Sequence, residues 1–337
     1  MLNNLTKFMF LMIVIMGSII AVSSNSWLGA WMGLEINLLA FIPLLTNLKS
    51  LTSTESSLKY FIVQALASTT LLFIVLIMSF YQNFSFEYNN YLNMILNSAL
   101  LMKMGAAPFH SWFPEVMEGL NWTMSFILMT WQKIAPMVLI SYCLFNEFIF
   151  FIVILSIFIG SIGGFNQTNL RSLMAYSSIN HLGWMLSSMF ISLNYWFMYF
   201  MFYAILSLSI ILIFYQLNIF YFSQIFSSLS NNPILKFSLF CNFLSLGGLP
   251  PFTGFLPKWI IIQNLSSSNM AMVTIMVILT LITLFFYIRL TYSAMMIYSS
   301  QILWNKIWSM NIMNLSVLLN FFSLFGLIVI TMMFMIQ

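Results

Sequence analysis

Five titratable side chains stand inside long apolar stretches. They are Glu35 in WLGAWMGLEINLLAFIP, Lys103 in LNSALLMKMGAAP, Lys133 in ILMTWQKIAPM, His181 in AYSSINHLGWMLSS and Lys258 in GFLPKWII. An ionisable group at mid-bilayer costs at least about 2.5–3.5 kcal/mol on insertion scales, so each needs a reason to be there. A carboxylate and an ammonium in low dielectric stabilise each other's charged forms, and a buried ammonium that loses its partner gives up its proton more readily. A set of such groups is suited to holding and passing protons. One carboxylate, three lysines and one imidazole, on five different stretches, form such a set.

Other charged residues have plainer readings. Lys59, Lys236, Arg289 and Lys306 lie near the ends of apolar blocks, from which long side chains snorkel to the headgroups. Glu55 and Lys59 have the i,i+4 spacing of a pair at a helix start. Glu115 and Glu118 fall where an interface is expected, and His110 where a polar residue would line a helix break. His181 also has a structural reading, as a hydrogen-bonded histidine inside a helix.

The elements that must position these groups carry a repeated interruption. The pattern G-x-x-P-F-x-x-(W/F)-x-P reads GAAPFHSWFP from Gly105 to Pro114 and GLPPFTGFLP from Gly248 to Pro257. Gly105, Pro108 and Pro114 mark the first break, and Gly248, Pro250, Pro251 and Pro257 the second. Pro136 marks a further break three residues after Lys133. Paired Gly/Pro-interrupted segments in corresponding halves point to a transport path. Broken helices free backbone carbonyls that need water or side chains at that depth. The copies differ in charge. Lys103 precedes the first break and Glu115 follows it, whereas Lys258 occupies in the second copy the place of Glu115.

The composition fixes the class. Hydrophobic residues make up 62% of the chain and charged ones 5%, against about 25% charged in a soluble domain. Mean hydropathy is +1.00. This is an all-α polytopic membrane protein. Ten basic residues scattered over 337 make no nucleic-acid patch. All six acids are Glu. Cys143 and Cys241 form no cluster, and an iron–sulfur site would need about four thiolates. No metal site and no G-x-G-x-x-G opening a helix after a strand is present. The first apolar run, after Lys7, reads as a retained helix and not a cleaved signal.

A spanning helix needs about 20 apolar residues, which places about eleven spans in a single membrane domain, 1–337. A first five-helix unit covers about 3–142, with helices at 3–23, 27–48, 57–80, 91–117 and 121–142. A second covers about 147–297, with helices at 147–165, 170–191, 194–218, 233–262 and 270–297, and a last helix covers about 313–335. With this count Lys7, Lys49, Lys59, Arg171, Lys236, Arg289 and Lys306 fall to one side, and Glu87 and Glu147 to the other. That sorting sets the N-terminus on the positive-inside face and the C-terminus opposite. Each unit is broken in its fourth helix. Five is odd, so a repeated unit must be inverted.

The stretches NSWLGAWMGLEINLLAFIP, LLMKMGAAPFHSWFPEVMEGL, MTWQKIAPM, LRSLMAYSSINHLGWM and LSLGGLPPFTGFLPKW resemble the animal, arthropod-like chain 2 family of mitochondrial NADH–ubiquinone oxidoreductase. These are antiporter-like membrane subunits of respiratory complex I. The resemblance spans roughly residues 20–295 and implies a fold of fourteen helices shortened by three, with two inverted repeats. It implies that Glu35 pairs with Lys103, that Lys133 is the central lysine, and that Lys258 is the lysine of the second broken helix. It implies proton translocation in the mitochondrial inner membrane, with the N-terminus in the matrix and the C-terminus in the intermembrane space. No cofactor is expected in this chain. NADH, FMN, iron–sulfur clusters and ubiquinone would be bound by other subunits. Expected partners are the neighbouring antiporter-like chain 4, the small chain 4L, accessory subunits and lipids, and no nucleic acid. Rival readings are a stand-alone cation/proton antiporter, a haem carrier ligated by His110 and His181, and a structural subunit whose buried charges hold helices together.

Overall fold

The computed structural model describes residues 2–47, 50–80, 86–228 and 233–296. The expected last helix at 313–335, Lys49 and Lys306 lie outside the described residues. Those residues form fourteen helices and one isolated bridge, Asn169 to Tyr221, with no sheet among them. The chain divides into two compact units, Met1–Ser156 and Ile157–Gln337.

The first unit holds α1 (Leu2–Ser23), α2 (Trp27–Leu45), α3 (Leu51–Phe80), α4 (Phe86–Met104), α5 (Trp112–Gly119), α6 (Trp122–Met129) and α7 (Trp131–Tyr142). Ser26 caps α2 by accepting from Gly29 N–H at 3.2 Å, the bond an N-cap serine is suited to make. α1 and α2 pack with their backbones in near contact. A Cβ on Gly33 would stand 2.5 Å from Ala21 N, the close approach that small residues give membrane helices. Hydroxyls inside α3 serve themselves: Ser56, Ser57, Ser68 and Thr70 each donate to the carbonyl three residues back.

α8 (Asn146–Gly163) crosses the boundary between the units. The second unit continues with α9 (Leu170–Met189), α10 (Leu193–Leu217), the short α11 (Phe222–Ser228), α12 (Pro233–Gly247), α13 (Phe255–Ser266) and α14 (Met270–Met296). α9 is buried along nearly its whole length, including Ser177, Ser178, Asn180, His181, Ser187 and Ser188. That explains its polarity, because a helix wrapped in protein needs no lipid-facing apolar stripe.

Seven helices among the described residues are long and apolar enough to cross a membrane. The expected spans missing from the seven have physical reasons. Those at 91–117 and 233–262 are each split into two half-helices, and that at 170–191 is the polar, buried α9. The expected span at 121–142 is one of the seven, although its helix has an irregular turn at Thr130, between α6 and α7. Pro136 is not the break: it lies inside α7. A helical proline leaves the carbonyl four residues back without its donor and crowds it, and here the irregular turn sits six residues upstream of the ring.

Candidate functional site

The two breaks begin with the same backbone device. Gly105 has φ +72° and Gly248 φ +84°, a left-handed conformation that glycine adopts without penalty. Gly105 N–H donates to Met102 O at 3.2 Å and Ala106 N–H to Leu101 O at 3.1 Å. Gly248 N–H donates to Ser245 O at 3.0 Å and Leu249 N–H to Leu244 O at 3.3 Å. Both are Schellman caps closing a half-helix, α4 and α12. The prolines divide by role. Pro108, Pro250 and Pro251 lie in the loops, and the Ala107–Pro108 peptide is cis. Pro114 and Pro257 instead occupy the third residue of α5 and α13. There the missing N–H is one the helix start leaves unpaired anyway. They start the second half-helix; they do not break the first.

A Schellman cap leaves the last carbonyls of its helix in need of donors. The two units answer differently at equivalent positions. At the end of α4, Gln64 Nε2 from α3 donates to Lys103 O at 3.1 Å, and Trp112 Nε1 donates to Met102 O at 3.2 Å. At the end of α12, the donor is an ammonium. Lys258 Nζ donates to Gly247 O at 2.8 Å and Leu246 O at 3.1 Å. The C-terminal end of a helix carries partial negative charge, and the Lys258 ammonium sits against it. Lys258 is 6% exposed and its Nζ lies 6.0 Å from the Trp184 ring centroid.

In the first unit Lys133 is 1% exposed, with Nζ 5.0 Å from the centre of the Phe113 ring. Phe113 in turn packs on the break, since a Cβ on Gly105 would meet its Cβ at 3.0 Å. Lys133 is thus placed beside the first break through α5. Lys103, in the last turn of α4, is 7% exposed. Glu35 Oε2 is buried without a hydrogen-bond partner among the described residues. α2 is tied to the Lys133 helix next door: Gln132 Nε2 donates to Asn37 Oδ1 at 2.9 Å.

In the second unit His181 Nδ1 lies 2.8 Å from the Tyr199 hydroxyl, and its ring centroid 5.1 Å from that of Tyr203. A cavity of about 10 Å³ is lined by His181, Tyr199, Tyr203, Ser245, Leu246, Gly254 and Pro257, about the room one water molecule needs. It joins the imidazole to the second break, because Leu246 O also holds Lys258.

The expected pair of Glu55 with Lys59 gives way to another. Lys59 Nζ on α3 meets Glu115 Oε2 on α5 at 2.9 Å, with side chains 45% and 56% exposed. Glu115 therefore holds two helices together at a polar surface, while its counterpart Lys258 is buried. His110 sits in the break with Nδ1 3.2 Å from Pro108 O. Sequence reasoning missed Gln64, Asn37, Gln132, Tyr199 and Tyr203. Their signal was a hydrogen-bonding side chain inside an apolar span, which the search for charges passed over.

The family model described as NADH:quinone oxidoreductase/Mrp antiporter, TM matches residues 24–285. The NADH-ubiquinone oxidoreductase chain 2 of Anopheles gambiae is 52% identical over 341 residues, covering 100% of both chains. That of Locusta migratoria is 46% identical over 92% of each. Among solved structures, a chain of respiratory complex I from Thermus thermophilus matches with TM-score 0.82 at 20% identity, over 95% of this chain and 78% of that one. A chain of the Mrp complex from Dietzia matches with TM-score 0.71 at 17% identity, over 83% and 59%. With full-length relatives at this identity and a fold shared with both kinds of assembly, the chain belongs to the NADH-ubiquinone oxidoreductase chain 2 family, within the wider NADH:quinone oxidoreductase and Mrp antiporter membrane family.

Proposed function

We propose that this chain passes protons through a series of buried titratable stations, Glu35 with Lys103, then Lys133, His181 and Lys258. Its family makes it a core membrane-arm subunit of proton-pumping NADH:ubiquinone oxidoreductase, and a multi-pass membrane protein. The observation that carries the relay is the seat of Lys258, an ammonium on the freed carbonyls of a broken helix. Such a seat is polar at a depth where a fixed charge is costly. Lys133 is a store beside the first break, and Glu35 sets how firmly Lys103 holds its proton. His181 hands protons towards Lys258.

In this reading the chain is built of about eleven spans, as two inverted five-helix repeats and a last helix. The shared Schellman cap at Gly105 and Gly248 supports that arrangement. The chain lies in the mitochondrial inner membrane with its N-terminus towards the matrix and its C-terminus towards the intermembrane space. NADH, FMN, iron–sulfur clusters and ubiquinone belong to other subunits, and chains 4 and 4L are its membrane neighbours.

The test is made in the assembled complex. Lys133→Met and Glu35→Gln are expected to lower quinone-coupled turnover and proton pumping by at least about tenfold, while NADH oxidation by an artificial acceptor is retained. Unchanged quinone reduction and pumping in both variants would sink the relay.

A further inference from the structure

Beyond Glu147 the sequence contains no acidic side chain, while Arg171, Lys236, Lys258, Arg289 and Lys306 all follow it. The second unit therefore has no acidic side chain of its own to neutralise its cations. Lys258 is served by backbone carbonyls and Arg171 packs on the Phe220 ring, 4.7 Å from its centroid. Arg289, near the end of α14, is exposed and has no ion-pair partner among the described residues.

Arg289 lines a cavity of about 260 Å³ together with Asn166, Gln167 and Thr168 from the α8–α9 loop, and Phe222 and Phe286. The polar wall is a guanidinium, two amides and a hydroxyl, a donor set matched to phosphate oxygens. The Gln167 side chain is held in place, donating to Gly163 O at 3.2 Å and accepting from Ser172 Oγ at 3.1 Å. Below the cavity the surface is apolar and exposed. Phe158 and Ile162 of α8 lie on it, with Phe165 of the α8–α9 loop and Leu281 and Phe285 of α14. Phe165 and Phe285 stack with centroids 5.6 Å apart, which joins the loop after α8 to α14 beside the polar wall.

We propose that this cavity binds the phosphate headgroup of an anionic phospholipid, with acyl chains along the α8–α14 stripe. A basic pocket between membrane helices on the positive side is where such headgroups are recognised. The apolar stripe favours a lipid over a free phosphate, which has nothing to place there. The lipid phosphate supplies the counter-charge that the second unit lacks.

The test uses the intact complex in nanodiscs of phosphatidylcholine, doped with a photoactivatable lipid. An anionic cardiolipin probe is expected to label peptides covering 158–168 and 281–290, and a phosphatidylcholine probe to label them several-fold less. Arg289→Gln should reduce the cardiolipin labelling by about fivefold, and Arg289→Lys should restore most of it, since both cations attract the headgroup. Millimolar inorganic phosphate should not compete. Equal labelling by both probes, or labelling indifferent to Arg289→Gln, overturns the site. Full competition by inorganic phosphate shows a free-anion site and overturns the lipid assignment.

Discussion

Lys258 and Lys103 show how one residue type serves two ends. Lys258 is bound through its ammonium to Gly247 O and Leu246 O. At the first break the equivalent carbonyl, that of Lys103 itself, is satisfied by the neutral amide of Gln64. The first break is thus closed without any charge. A Cβ on Gly248 would stand 2.9 Å from Lys258 Cδ and 3.0 Å from Nζ. Gly248→Ala is expected to displace the ammonium, cost about 1–2 kcal/mol for its left-handed backbone, and lower pumping. Thermal melting and proton uptake of the assembled complex would check both. Tyr199→Phe removes the 2.8 Å partner of His181 Nδ1. It should slow coupled turnover several-fold, as expected for loss of one group that orients a proton carrier, with NADH oxidation by an artificial acceptor unaltered.

Among elements, the half-helices were the most legible feature and the reason for their geometry the least. The G-x-x-P-F spacing located both breaks, because a glycine and nearby prolines punctuate a helix whatever surrounds them. The pattern did not reveal that Pro114 and Pro257 start helices, since a proline at a first turn and one in an interior look alike in sequence. Nor did Pro136 reveal that the irregular turn falls at Thr130, because a helix relieves a proline over several residues. The side chains of Gln64, Asn37 and Gln132 escaped notice for another reason: their hydrogen-bond partners are 39 to 95 residues away. Interhelical hydrogen bonds in membranes average about 0.6 kcal/mol and reach about 1.7. Gln64→Leu should therefore leave assembly intact and shift the melting of the complex only slightly. Gly33→Leu should be far worse, because its side chain would drive into the backbone at Ala21. Blue-native electrophoresis of the two variants separates the outcomes, and equal assembly would contradict the close α1–α2 packing.

For the whole molecule, composition alone established a membrane protein, since 5% charged residues cannot cover a soluble fold. Hydropathy was a weaker guide to the number of spans, because α9 hides its serines, asparagine and histidine inside protein. The basic residues still give an orientation to test. Cysteine substitutions at Lys7 and Arg171 should be modified by an impermeant reagent only from the matrix side of the inner membrane. Modification from the other side would reverse the arrangement.

In the proposed relay a buried lysine at a helix break gives up its proton in each cycle. Lys258→Arg separates this from a structural role. Arginine keeps the positive charge and the donors to Gly247 O and Leu246 O, but it does not deprotonate. The measurement is protons moved per NADH oxidised, with the quinone-reductase rate, for the assembled Lys258→Arg complex in sealed proteoliposomes. The Lys258→Arg complex should assemble and show lost or sharply reduced pumping. Pumping and quinone reduction at the wild-type level would mean that Lys258 only holds the broken helix together, and would contradict the relay.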